Sequence, residues 1–243
     1  AWNWKAGGAP TATNSAGAGA VPTAGSVKID GSNLESALAG TTAATKISAN
    51  TTSGFSIVTY NAPTTATSIA HGLSSTPELI IIKDLAYSGS NWPVMRDNTN
   101  PTSILYLNLT NAAGADSTSY TAVTASTFSI GTSTDINYDN AVAYCFHSVE
   151  GYSKVGSYEG NNNADGTFVY TGFRPALIML KGVDTSDNWV ILDNKRDVYN
   201  VANKALNPDD QAAESVNSTP DTDFTSNGFK RWDTEMNAAS TYI

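Results

Sequence analysis

The residue types that most often carry catalysis are sparse in this sequence of 243 residues. It holds two histidines, His71 and His147, and a single cysteine, Cys145. A nucleophilic triad needs three side chains in hydrogen-bond reach, and no spacing here links either histidine to a serine and a carboxylate. Cys145 lies in the apolar run Ala-Val-Ala-Tyr-Cys-Phe, which predicts a small buried side chain rather than a reactive thiolate. The sequence therefore predicts no active site, and we expect no enzyme.

Metal-binding patterns are equally incomplete. Asp135, Asn137 and Asp139 have the spacing that opens a calcium loop, but Asn140 stands where the turning glycine belongs and Phe146 where the closing glutamate belongs. One cysteine and two distant histidines do not form a zinc site. We interpret residues 135–140 as a polar hairpin loop, and we expect neither a metal nor any other cofactor.

Composition limits the class of partner. The chain has 13 Lys and Arg against 22 Asp and Glu, a formal net charge of -9, and only 14% charged residues. A nucleic-acid-binding protein normally shows a basic patch, so we expect no nucleic-acid partner. No apolar stretch approaches the length of a membrane-spanning helix, so we expect no membrane insertion.

The chain contains an internal repeat. Pairs of matching segments recur at an offset of 96–101 residues, and the clearest are PELIIIK at 77–83 with PALIMLK at 175–181 and SNWPV at 90–94 with DNWVI at 187–191. Ordered matches at a nearly constant offset indicate a duplicated module. Within each copy, short apolar runs are bounded by Gly, Pro, Asn and Asp, a pattern typical of strands and turns.

These patterns predict an all-β protein with two tandem, related, β-sandwich-like modules, preceded by a low-complexity linker segment. Residues 51–149 form the first module, and residues 150–243 form the second, which breaks off in its last strand. Residues 6–50 are rich in Ala, Gly, Ser and Thr and read as a linker or surface loops. Residues 1–5 resemble the last strand of the first module, at 143–147, so we interpret them as the end of a preceding copy.

Aromatic and amide side chains are the candidates for ligand contact. Trp92 and Trp189 recur at the same place in both modules, which favours packing over binding. Residues that differ between the copies are better candidates for recognition, and those are Tyr87, Tyr120, Tyr138, Asn161 and Trp232.

Several strings resemble one known family. They include WNWKAGG at 2–8, ISANTTSGFSIVTY at 47–60, AYCFHSVEGYSKVGSY at 143–158 and NADGTFVYTGFRPALIMLK at 163–181. They are similar to a repeated β domain of uncharacterised function in large tail-fibre and tail-associated proteins of bacteriophages, notably marine ones. The resemblance implies an extracellular virion protein and brings no catalytic residues. It also implies assembly with other copies, commonly as a homotrimer, and with other virion proteins.

The functional hypothesis is therefore a structural or adhesive segment of a phage tail fibre or similar appendage, with a glycan on the host surface as its candidate ligand. Two alternatives remain open. One is a carbohydrate-binding or polysaccharide-depolymerising module, suggested by the Trp, Tyr and Asn content. The other is a bacterial surface adhesin built from the same module.

Overall fold

The protein is all-β in a computed structural model that describes residues 3–136, 139–214 and 221–243. No helix occurs among these residues, and none is therefore long and apolar enough to cross a membrane. The chain divides into two compact units. Unit 1 consists of Ala1–Ile104 and Gly114–Val149, and unit 2 consists of Leu105–Ala113 and Glu150–Ile243.

The first twelve strands build two sheets. A nine-stranded sheet has the order β2-β1-β3-β4-β12-β6-β7-β8-β9, and a three-stranded sheet has the order β10-β11-β5. The strands are β1 Val27–Ile29, β2 Ser32–Asn33, β3 Ala44–Asn50, β4 Phe55–Tyr60, β5 Thr67–Ala70, β6 Leu79–Asp84, β7 Pro93–Met95, β8 Ser103–Tyr106, β9 Gly114–Ala115, β10 Tyr120–Val123, β11 Thr127–Ile130 and β12 Ala141–Phe146.

The core of unit 1 lies between these two sheets. Successive side chains on a strand point to opposite faces, and the inward set on β4, β12 and β6 is fully buried. The ring of Tyr60 on β4 meets Phe128 on β11 at 5.8 Å between centroids. The Tyr120 hydroxyl on β10 donates to the carbonyl oxygens of Ile80 (3.2 Å) and Pro93 (2.9 Å). The two sheets therefore face each other in a sandwich-like arrangement.

The prediction that residues 6–50 form a linker or surface loops is wrong for residues 44–50. Residues 44–50 form β3, which pairs with β4 along its length, and β1 pairs with β3 in parallel. Ile47 and Ala49 point inward and are fully buried. The composition concealed this strand because its remaining residues are small or polar. Residues before β3 belong to the same unit and contact this strand region: the backbone N–H of Asn14 donates to Thr45 O at 2.8 Å.

Residues 3–5 do not form the strand that the sequence predicted there. Trp4 instead packs against two rings of unit 1, with centroid distances of 6.2 Å to Phe55 and 5.8 Å to Phe146. Residues 1–2 lie outside the described residues. Trp4 thus packs against aromatic residues of β4 and β12.

Unit 2 contains the remaining seven strands in three small sheets: β13 with β19, β14 with β18 and β17, and β15 with β16. Its core comprises Ile178, Leu180, Val190 and Leu192 from β15 and β16, packed with Phe224 and Phe229 from β17 and β18. The strands are β13 Tyr158–Glu159, β14 Phe168–Tyr170, β15 Leu177–Leu180, β16 Val190–Asp193, β17 Thr222–Thr225, β18 Gly228–Arg231 and β19 Thr241–Tyr242.

Candidate ligand-binding face

The outer face of the β14-β18-β17 sheet is the most distinctive exposed surface of unit 2. Its register places Phe168 opposite Lys230, and Lys230 opposite Asp223, so the three side chains form one row across the sheet. Tyr170 lies two residues further along β14, and Trp232 follows β18 two residues beyond Lys230. We call the surface formed by Phe168, Tyr170, Asp223, Lys230 and Trp232 the aromatic face.

The three aromatic side chains of this face are well exposed. Phe168 is 45% exposed, Tyr170 68% and Trp232 43%. Aromatic side chains this exposed on one side of a sheet leave a large apolar area in water, which is uncommon without a binding role. Val169, between Phe168 and Tyr170, points to the opposite face and packs against the core of unit 2.

Polar contacts fix the geometry of the face. The Trp232 indole N–H donates to Asp223 Oδ2 at 2.8 Å, which orients the ring. Lys230 Nζ lies 5.1 Å from the centre of the Trp232 ring and 2.7 Å from Asp165 Oδ1. The ammonium group therefore joins the ring to the loop before β14 through a cation–π contact and an ion pair.

That loop is anchored by a buried amide, Asn237. Asn237 Nδ2 donates to Asn161 Oδ1 at 2.8 Å, to Asn163 O at 2.9 Å and to Asp233 O at 3.0 Å. Its Oδ1 accepts the backbone N–H of Thr167 at 3.2 Å. A buried amide with its donors and acceptor used in this way holds the loop in one conformation beside the aromatic face.

Beneath the face lies a buried cation, Arg231, which is fully inaccessible. Its Nη2 atom lies 3.1 Å from Asp233 Oδ1 and 2.7 Å from Glu235 O, and Nη1 donates to the Thr222 hydroxyl. Burial raises the pKa of the Asp233 carboxyl, and the charge of Arg231 opposes that shift. Because both charges are enclosed and paired, we assign this pair a structural role beneath the sheet.

Of the predicted contact residues, Trp232 lies on this face and Asn161 lies in the adjoining loop. Asn161 Nδ2 donates to Asp165 O at 3.1 Å, and Asp165 pairs with Lys230 next to Trp232. The sequence interpretation missed Phe168 and Tyr170, although their alternation with Val169 already placed them on one side of a strand.

The other predicted contact residues are Tyr120, Tyr87 and Tyr138. Tyr120 is fully buried in unit 1, and burial raises the pKa of its hydroxyl well above the ordinary value. Tyr120 is thus a core residue, and its prediction as a surface contact is wrong. Tyr87 is 59% exposed but belongs to unit 1, and Tyr138 lies outside the described residues. Trp189 is buried as predicted, whereas Trp92 is only half-buried, with Lys83 Nζ 5.8 Å from its ring.

The groups considered for catalysis occupy structural positions. His71 is fully buried, with Nδ1 accepting the Leu73 N–H at 3.1 Å and Nε2 beside Thr124 O at 3.2 Å. Burial lowers the pKa of His71 to about 4, so the ring is neutral at pH 7. Cys145 is buried as predicted, and burial raises the pKa of its thiol. Among the described residues, no group of three or more His, Cys, Asp or Glu could hold a metal ion.

The fold and this face together describe an all-β protein with an exposed aromatic surface on one sheet of unit 2. The chain belongs to the family described as Domain of unknown function (DUF7483), which matches residues 28–243. The match begins within β1 and includes β3, in agreement with the pairing of these strands with unit 1. No curated protein and no solved structure matches the chain.

Proposed function

We propose that the chain is a structural and adhesive segment of an extracellular appendage of the bacteriophage tail-fibre kind, built from two copies of one β-sandwich-like module. The observation that carries the proposal is the same order of strand pairing in both units. In unit 1, β12 pairs with β4, and β11 pairs with both β10 and β5. In unit 2, β19 pairs with β13, and β18 pairs with both β17 and β14.

The equivalence includes one further pair of strands. The pairing of β6 with β7 in unit 1 has its counterpart in that of β15 with β16 in unit 2. The contact of β12 with β6 has its counterpart in the bridge between Gly182 and Tyr242. A repeated pairing order is typical of proteins that assemble extended structures from one module.

Assembly with other copies is part of this proposal, and the outer face of the nine-stranded sheet supports it. Ile57, Tyr144 and Ile81 lie side by side across β4, β12 and β6, where an isolated sheet would expose polar side chains to water. Ile57 and Tyr144 are partly exposed. An apolar sheet face of this kind suits contact with other chains in a homotrimer.

Sedimentation of the intact chain tests the assembly. We expect a trimer, and we expect Tyr144→Lys to dissociate it to monomers because a charge would be buried in the apolar contact. Tyr87→Lys is the matched control, since it introduces the same charge at an exposed position and should leave the trimer intact. A wild-type chain that stays monomeric across the concentration range would contradict the proposal.

A second candidate function is glycan binding, and the aromatic face favours it. Exposed aromatic rings can stack against the C–H faces of sugar rings, while nearby carboxylate and ammonium groups hydrogen-bond to hydroxyls. The chain carries a net charge of -9, and Lys230 is already paired with Asp165, so a neutral glycan fits better than an acidic one. Host-surface adhesion through this face would join the two candidate functions.

Screening on an array of neutral oligosaccharides, followed by titration of a bound oligosaccharide, tests this candidate. We expect Trp232→Ala to weaken binding by about tenfold or more, as removal of a central aromatic contact usually does. Tyr152→Ala is the control, because Tyr152 is 49% exposed in unit 2 but lies outside the aromatic face. Equal losses in both variants, or no binding to any glycan, would count against a glycan-binding face.

A further inference from the structure

The outer edge of the three-stranded sheet in unit 1 is covered by the segment that leads into β3. Residues 40–42, which we call the strap, run along the outer edge of β5. The backbone N–H groups of Thr41 and Thr42 donate to Ser68 O at 2.9 and 3.0 Å, and the Ser68 N–H donates to Thr41 Oγ1 at 2.9 Å. The chain then continues into β3, which covers the outer edge of β4.

The equivalent edge of unit 2 is uncovered in the described part of the chain. The Arg231 N–H donates to Thr167 O, and the Thr171 N–H donates to Asn227 O, so alternate residues of β14 face β18. The N–H and C=O groups of Phe168 and Tyr170 therefore point away from the sheet. Within the described residues, no segment pairs with them.

The core beneath this edge shows the same difference. Ile69 on β5 and Val169 on β14 occupy equivalent positions, since each lies opposite a phenylalanine of the central strand, Phe128 or Phe229. Ile69, which also bridges to Gly40 of the strap, is fully buried, whereas Val169 is only partly buried. The edge of unit 2 thus lacks both a hydrogen-bonding partner and part of its apolar cover.

We propose that the outer edge of β14 binds an extended segment of another polypeptide chain by strand addition. This inference rests on the equivalence of the two units proposed above. Outward N–H and C=O groups on alternate residues are matched by an extended peptide backbone, the mode in which exposed sheet edges bind peptides. Because the strap fills this position in unit 1 with glycine and threonine, we expect an uncharged segment of small residues.

The probe for the test is a synthetic peptide with the uncharged sequence of residues 38–45, added to the intact chain. We expect saturable binding, and we expect hydrogen exchange at the amides of Phe168 and Tyr170 to slow when the peptide is present. The control peptide has the same sequence but is N-methylated at alternate residues, which removes the backbone donors. It should bind at least tenfold more weakly.

Two variants separate the edge from the aromatic face. Tyr170→Pro removes an outward N–H while leaving the β18 side of the strand paired, and should abolish peptide binding. Tyr170→Ala keeps the backbone, so it should retain peptide binding while weakening glycan binding.

Absent peptide binding, unchanged exchange at Phe168 and Tyr170, or equal affinity for the N-methylated peptide would each overturn the inference, even if Tyr170→Pro failed to fold. If the wild-type chain failed to bind the peptide but still bound a glycan or formed a trimer, the strand-addition inference would be overturned while the proposed function would stand.

Discussion

Asn237 and Arg231 organise the aromatic face of unit 2 from beneath, although neither side chain reaches solvent. Asn237 fixes the loop that carries Asn161 through hydrogen bonds of its side-chain amide. Arg231 forms a buried ion pair with the carboxylate of Asp233 on the inner side of the sheet. The loop beside the aromatic face is therefore fixed by buried hydrogen bonds, so a ligand that contacted it would have little ordering cost to meet there.

His71 makes the stability of the protein depend on pH. The pKa of its ring is lowered from 6.5 to about 4 by burial, so the unfolded chain takes up a proton before the folded chain does. The contribution of the neutral His71 ring to the free energy of unfolding is fully present above pH 6.5 and is lost as pH falls towards 4. Between pH 7.5 and pH 5, we expect a loss of about 2 kcal/mol in the free energy of unfolding, measured by urea denaturation.

The control for this prediction is His71→Gln, in which an amide replaces the titrating ring and can still donate to Thr124 O. The difference between wild type and this variant should shrink as pH falls from 7.5 to 5. A wild-type protein whose pH dependence matches that of the variant would show that His71 does not titrate in this way.

Among the elements, the strap depends on a glycine. Gly40 has a φ of +99°, and a Cβ atom there would lie 2.6 Å from Ser68 O, the acceptor that holds the strap. We expect Gly40→Ala to displace the strap and to destabilise the protein by about 1–3 kcal/mol. Hydrogen exchange at the Ser68 amide should accelerate in parallel, because this N–H bonds to Thr41.

Gly17→Ala is the matched control, since a Cβ atom at Gly17 meets no atom within 4 Å. It should leave both the unfolding free energy and Ser68 exchange near wild-type values. If Gly40→Ala and Gly17→Ala behaved alike, the strap would contribute little to closing β5.

The sequence predicted the strands that are apolar throughout and missed others, β3 among them. The apolar runs at 79–82 and 177–180 fall on β6 and β15, because short runs of consecutive large apolar residues between turn residues are typical of buried strands. β3 escaped notice because only Ile47 in it is large, and its role comes from pairing with β4. Tyr120 was misassigned because a tyrosine whose hydroxyl finds buried acceptors cannot be recognised from its neighbours in sequence.

Across the whole molecule, the internal repeat carried most of the information in the sequence. Matching segments such as PELIIIK and PALIMLK fall on β6 and β15, each of which pairs with the strand that follows it in the chain, β7 or β16. The aromatic face could not be predicted in the same way, because it depends on residues from β14, β17 and β18 that meet only through cross-strand register.

The position of the strap on the outer edge of β5 has a mechanical consequence. Residues 40–42 are held to β5 over a short stretch around Ser68, whereas β3, which follows them, is held on both sides by β1 and β4. Tension along the segment between β1 and β3 would therefore release the strap first and lengthen the chain by on the order of 10 Å. A stretched unit 1 would then present the open edge of β5 to any neighbouring chain, so pulling force itself would create a new site for cohesion.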